Sequence, residues 1–102
     1  MTKLFIWLIS QDTNNDYDTY GQAVVVAPDA ESAKFVYPWS DRNTGMPILT
    51  WSTERGWVTI EDGQEWGGYD WVSPNLVTAK CVGEAAEGLS AGQVISASFR
   101  AG

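Results

Sequence analysis

Residues 3–10 read Lys-Leu-Phe-Ile-Trp-Leu-Ile-Ser, and the six side chains between the first and the last are all apolar. A short run of β-branched, aliphatic and aromatic residues without polar alternation is typical of a central strand that is buried on both faces. The stretch therefore predicts a strand in the middle of a sheet, and the neighbouring segments should supply the strands around it.

Three further segments have the pattern of strands in the same sheet. Residues 23–27 read Ala-Val-Val-Val-Ala, a strong strand signal. Residues 77–83 alternate apolar and polar side chains, with Cys81 in the inward phase, where it is expected to be a small buried hydrophobe. Residues 94–101 alternate too, with Ile95, Ala97 and Phe99 predicted to face inward.

A short helix and a hairpin are predicted between these strands. Asp29 is a favourable N-cap for a helix from Ala30 to about Tyr37, which Pro38 ends. Residues 48–51 and 57–60 flank a glycine-bearing loop, which predicts a β-hairpin. We therefore predict an α+β fold: a mainly antiparallel sheet of four to six strands with one short helix packed on one face.

The length of 102 residues fits a single compact domain over 1–102, and no repeat or linker divides it. The composition changes in a middle region at about 39–71, which holds five of the six tryptophans and five of the ten glycines. This region is too short and too rich in glycine to bury every tryptophan, because tryptophan is seldom completely buried. Some of these rings are therefore expected at the surface.

The chain has no histidine and one cysteine. A Ser-His-Asp or Cys-His catalytic arrangement and a zinc site are therefore excluded, and no phosphate-binding glycine motif is present. Residues 12–18 alternate oxygen-bearing side chains as a calcium loop does, but lack its glycine and its bidentate glutamate. We expect no enzymatic activity, no cofactor and no metal, although a pair of carboxylates acting on a sugar remains an alternative.

Thirteen acidic residues oppose six basic ones, which gives a formal net charge of -7. The basic residues are scattered, so neither direct nucleic-acid binding nor attraction to an anionic membrane is expected. No apolar run approaches the roughly 18 residues of a membrane-spanning helix. A strongly acidic surface favours a partner with a basic surface, while the alternative is that the charge only maintains solubility.

Several segments together resemble a family of small phage and prophage proteins: residues 7–11, 14–15, 17–20, 23–28, 73–77, 82–85 and 94–102. The resemblance implies a phage or prophage origin and a place in the cytoplasm of a host bacterial cell, and it implies no particular reaction. By analogy with other small acidic phage proteins, we expect a non-enzymatic interaction protein that binds a host protein. Its effect would be to inhibit a host defence, such as CRISPR or restriction, or a nucleic-acid-processing complex.

Aromatic rings among carboxylates are the predicted partner-binding residues, because such surfaces make hot spots for a basic partner. The predicted residues are Glu61, Asp62, Glu65, Trp66, Tyr69, Asp70 and Trp71, together with Tyr17, Asp18 and Tyr20.

Several alternatives stay open. The tryptophans are alternatively a platform that stacks on sugar rings, which would make the protein a glycan- or small-ligand-binding module. Trp51 and Trp57 are alternatively a cross-strand pair that builds a minor second core, and the tyrosines are alternatively anchors of their own loop. A minor virion component is a further candidate, and the sequence leaves the oligomeric state open.

Overall fold

The computed structural model describes residues 3–13, 19–66 and 71–100. The elements follow one another along the chain as strands β1 (Phe5–Ser10) and β2 (Thr19–Ala27), helix α1 (Ala30–Lys34), strands β3 (Leu49–Ser52) and β4 (Gly56–Thr59), a 3-10 turn (Pro74–Leu76), and strands β5 (Thr78–Glu84) and β6 (Val94–Arg100).

Four of the strands form one antiparallel sheet in the order β5-β1-β2-β6. Strand β1 holds an inner position, with Ile9 opposite Ala23 of β2 on one side and Ala79 of β5 on the other. Strands β3 and β4 form a second, two-stranded antiparallel sheet. The predicted α+β class, the antiparallel sheet and the single short helix are confirmed.

The core lies on one face of the four-stranded sheet. Ile9 and Val25 of the sheet are fully buried there, together with Ala33 of the helix, and Tyr37 and Leu49 are almost completely buried in the same cluster. On the opposite face, Ile6, Leu8 and Val24 are half-buried and lie outside this cluster, whereas Val26, the partner of Ile6, is fully buried. Strand β1 is therefore central as predicted, but Ile9 is its one fully buried side chain, and the others on both faces are half-buried.

Three residues of the outer strands that were predicted to be buried are exposed, for two different reasons. Cys81 lies opposite Trp7, and Ala97 lies opposite Ala23, but both are exposed because β5 and β6 are the edge strands of the sheet. In β6, Val94 pairs with Val25 and Ser96 pairs with Val24, so Ile95 is an extra residue in a β-bulge. The bulge shifts the alternation: Val94 is buried, and Ile95 is 45% exposed.

The helix begins at the predicted N-cap, where Asp29 Oδ1 accepts a hydrogen bond from the backbone N–H of Ser32 at 2.8 Å. It ends at Lys34, earlier than predicted, and Val36 and Tyr37 are buried in the segment that follows it. Among the described residues, no helix combines the length and the apolar character that crossing a membrane requires.

Replacing Asp29 with alanine is expected to lower the melting temperature at pH 7, because the N–H of Ser32 loses its acceptor. Two hydrogen bonds from Ser32 hold the pKa of Asp29 below its ordinary value of 3.8. The bond from the backbone N–H has the larger effect, and the bond from the side chain has the smaller one. Because the folded-state pKa is the lower one, the ionised cap stabilises the fold above pH 3.8, and this contribution is lost as the pH falls through the folded-state pKa.

Thermal melts of the wild type and the Asp29→Ala variant across acidic and neutral pH check this expectation. The difference in melting temperature should be largest near neutrality and shrink in strong acid. A difference that stays constant down to the most acidic buffer would contradict a role for the ionised cap.

Candidate functional site

The middle region is organised around Trp57, which is 9% exposed. Its ring packs edge-on against Tyr37, with centroids 4.9 Å apart, and against its cross-strand partner Trp51 at 5.2 Å. Its indole Nε1–H donates to the carbonyl of Val72 at 2.9 Å. The expected Trp51–Trp57 pair is therefore present, but it joins the main core cluster instead of building a separate second core.

A tight turn follows β4 and carries three of the predicted acidic residues. The turn is closed by a hydrogen bond from the N–H of Gly63 to the carbonyl of Thr59 at 2.8 Å, and Glu65 then forms a bridge with Val58. The Thr59 hydroxyl donates to Asp62 Oδ1 and accepts from the N–H of Gln64. Asp62 therefore has a structural role in shaping the turn.

The other two carboxylates of this turn are available to a partner. Glu61 and Glu65 are exposed, and neither forms an ion pair with any described residue. The guanidinium of Arg55 lies close to this turn. A Cβ built on Gly63, whose φ is +66°, would be only 3.2 Å from Nη2 of Arg55. The turn thus presents two unpaired negative charges beside one guanidinium.

Trp66 directly follows Glu65 and packs against Trp39, with ring centroids 5.3 Å apart and planes tilted by 45°. Trp66 is half-buried against the core, whereas Trp39 is 38% exposed. We name the set of Trp39, Glu61, Glu65 and Trp66 the acidic aromatic surface. Trp39 was not among the predicted partner-binding residues, because only the fold brings it next to a residue 27 positions later in the chain.

The remaining predicted site residues fall into two groups. Trp71 is 6% exposed within the core cluster, and its Nε1 has no hydrogen-bond partner in the described part of the chain; Tyr20 is half-buried and packs against the same cluster. Neither side chain belongs to the acidic aromatic surface. Tyr17, Asp18, Tyr69 and Asp70 lie outside the described residues.

Tyr20 has the position expected of a loop anchor. It is the second residue of β2, and its carbonyl accepts a hydrogen bond from Gln11 Nε2 at 3.0 Å. The N–H of Gln11 in turn donates to Gly21 at 3.1 Å. These bonds join the two ends of the β1–β2 connection. The packing of the half-buried Tyr20 ring against the core cluster favours its structural interpretation.

Over residues 3–13, 19–66 and 71–100, no three His, Cys, Asp or Glu side chains are grouped so that they could hold a metal ion. Comparison of the chain with protein-family models, with curated proteins and with solved structures finds no match.

Proposed function

We propose that this chain is a non-enzymatic, phage-encoded interaction protein that binds a basic surface of a host protein through the acidic aromatic surface. Its biological effect would be to inhibit a host defence, such as CRISPR or restriction, or a nucleic-acid-processing complex. The observation that carries the binding proposal is the exposed Trp39 ring, held against Trp66 beside the unpaired carboxylates of Glu61 and Glu65.

This combination has the composition of a protein-binding hot spot. Tryptophan is enriched among hot-spot residues, and a ring already held by a neighbour loses little freedom when a partner covers it. The carboxylates, together with the net charge of -7, attract a basic surface and speed its approach. The phage origin and the host target rest on the resemblance of the terminal segments.

Reversing both unpaired charges, as Glu61→Lys with Glu65→Lys, is expected to abolish stoichiometric capture of the partner from host lysate at low salt. Like charges would then face each other across the interface, which costs several kcal/mol. The measurement is an affinity pull-down with the tagged protein, read by mass spectrometry at low and high salt. The wild type should recover one dominant host protein at low salt and lose it at high salt.

The matched control is Glu84→Lys with Glu87→Lys, which changes the net charge equally at two exposed positions at and after the end of β5. It should retain the partner, and Arg55→Gln, which removes the cation beside the turn, should strengthen capture. Asp62 is left unchanged because its carboxylate shapes the turn. Equal loss in both double variants would show that only the total charge matters, and unchanged capture by the Glu61 and Glu65 variant would exclude this surface.

A glycan-binding module is the second candidate, and the exposed Trp39 ring is the observation that favours it. A sugar stacked on this ring would change the tryptophan environment, and nearby carboxylates would accept hydrogen bonds from its hydroxyls. Fluorescence titration with cell-wall sugars separates the two functions. A saturable emission shift that Trp39→Ala removes would support the glycan module over the protein binder.

A further inference from the structure

A cavity of about 380 Å³ opens beside the acidic aromatic surface, between the loop that leads into β3 and the turn that follows β4. Its apolar lining comes from Met46, Pro47, Ile48 and Ile60, and the acidic residues Asp41 and Glu61 line it from its two sides. Small-ligand pockets usually measure roughly 300–1,000 Å³ and combine an apolar lining with a few polar groups. This cavity therefore has room for a side chain and part of the backbone that carries it.

The wall formed by residues 41–46 is held by its own hydrogen bonds. Asp41 donates its N–H to the carbonyl of Met46 at 2.9 Å and accepts from the N–H of Gly45 at 2.8 Å. Its carboxylate accepts from the N–H of Asn43 at 2.7 Å. The N–H of Val94 donates to the carbonyl of Gly45 at 2.7 Å, which fastens the loop to the start of β6.

The opposite wall is fixed as well. The N–H of Ile60 donates to the carbonyl of Ile48 at 3.0 Å, which extends the β3–β4 ladder by one bond. Ile60 is nevertheless 59% exposed, so a large apolar side chain stands open to solvent at the rim. Both walls are therefore formed before any ligand arrives, which reduces the ordering cost of binding.

We propose that this cavity binds an arginine side chain of the basic partner. This inference rests on the proposed function and names the chemical group of the partner that the cavity recognises. The aliphatic stem of arginine would lie against Ile48 and Ile60, as long cationic side chains do on apolar surfaces. The guanidinium would lie at the carboxylates of Asp41 and Glu61. Arginine suits this place better than lysine because its head group is more weakly hydrated and forms planar, paired hydrogen bonds with carboxylates.

The test titrates N-acetyl-arginine N-methylamide into the full chain and follows the side-chain methyl signals of Met46 and Ile60 by NMR. Met46 is easily assigned because the chain has only two methionines. The uncharged matched probe is N-acetyl-norleucine N-methylamide, which has a similar stem. We expect saturable shifts at both methyls with the arginine probe, and an affinity at least about fivefold lower for the norleucine probe.

The matched variant is Asp41→Asn with Glu61→Gln, which removes both charges and keeps an acceptor for the N–H of Asn43. It should bind the two probes equally while its backbone spectrum stays that of the wild type. Equal binding of both probes to the wild type, or shifts of the tryptophan signals alone, would overturn the proposal.

A second variant separates this inference from the proposed function. Ile60→Ser removes exposed apolar area from the cavity and leaves Glu65, Trp66 and Trp39 in place. If it loses both the arginine probe and affinity for a purified partner, the cavity is the arginine site. If Ile60→Ser keeps full affinity for the partner, the cavity is refuted as the arginine site, but the acidic aromatic surface is not refuted as the binding surface. If the arginine probe binds and no host partner is captured, the proposed function alone is refuted.

Discussion

Replacing Trp57 with alanine is expected to lower the free energy of unfolding by about 3–5 kcal/mol, the range for truncating a large buried aromatic side chain. The substitution removes three interactions at once. The ring contacts with Tyr37 and Trp51 are lost, and the carbonyl of Val72 loses the indole N–H that donates to it at 2.9 Å. Urea denaturation, followed by circular dichroism, measures the loss.

Two further variants show where this stability comes from. Trp57→Phe keeps most of the ring contacts and removes the hydrogen bond to Val72, so it should cost less than alanine but more than a conservative surface change. Trp39→Ala truncates the same residue type at a position that is 38% exposed, and it should cost no more than about 1 kcal/mol. Equal losses for Trp57→Ala and Trp39→Ala would contradict the assignment of Trp57 to the core.

Trp39→Ala is expected to weaken binding of a purified partner by about 30-fold or more, the effect of losing a hot-spot residue worth about 2 kcal/mol. The ring projects into solvent while Trp66 holds it from one side, so a partner covering it removes its exposed part from water. Surface plasmon resonance should show most of the change in the dissociation rate, because short-range contacts act after the encounter.

The comparison variant is Phe35→Ala, which removes an aromatic ring that is 47% exposed at the end of α1. Its partner affinity should stay within about twofold of the wild type, since it lies outside the acidic aromatic surface and scattered exposed apolar residues need no partner. If Phe35→Ala weakens binding as much as Trp39→Ala, the contact surface includes the helix end, and Trp39 is not its centre.

The parts of the fold that local patterns control could be predicted from the sequence. The apolar run of β1, the N-cap at Asp29 and the glycine-bearing hairpin all act over a few residues, and each lies where its pattern indicates. The exposure of Cys81 depended on strand order. Side chains with the same apolar alternation are buried in a central strand and exposed in an edge strand. The bulge in β6 places Val94 inward and Ile95 outward, which the alternation of side chains alone does not reveal.

The candidate site was predictable only in part, because local sequence patterns do not show which distant segments meet. The carboxylates Glu61 and Glu65 and the ring of Trp66 are close in sequence, so composition was enough to single them out. The contact with Trp39 and the cavity wall at residues 41–46 depend on the pairing of distant segments. Sequence reasoning also could not separate Asp62, which is used inside its turn, from the glutamates on either side of it.

The strand order β5-β1-β2-β6 has a consequence for how the chain folds. Strands β1 and β2 are consecutive in sequence and pair with each other, whereas their outer edges pair with β5 and β6 from the other end of the chain. These two strands are joined by residues 85–93, where Gly92 and Gln93 exchange hydrogen bonds with Val26. We therefore expect completion of the sheet to wait for the last quarter of the chain to be synthesised, and refolding to be slow, because the closing contacts span most of the sequence.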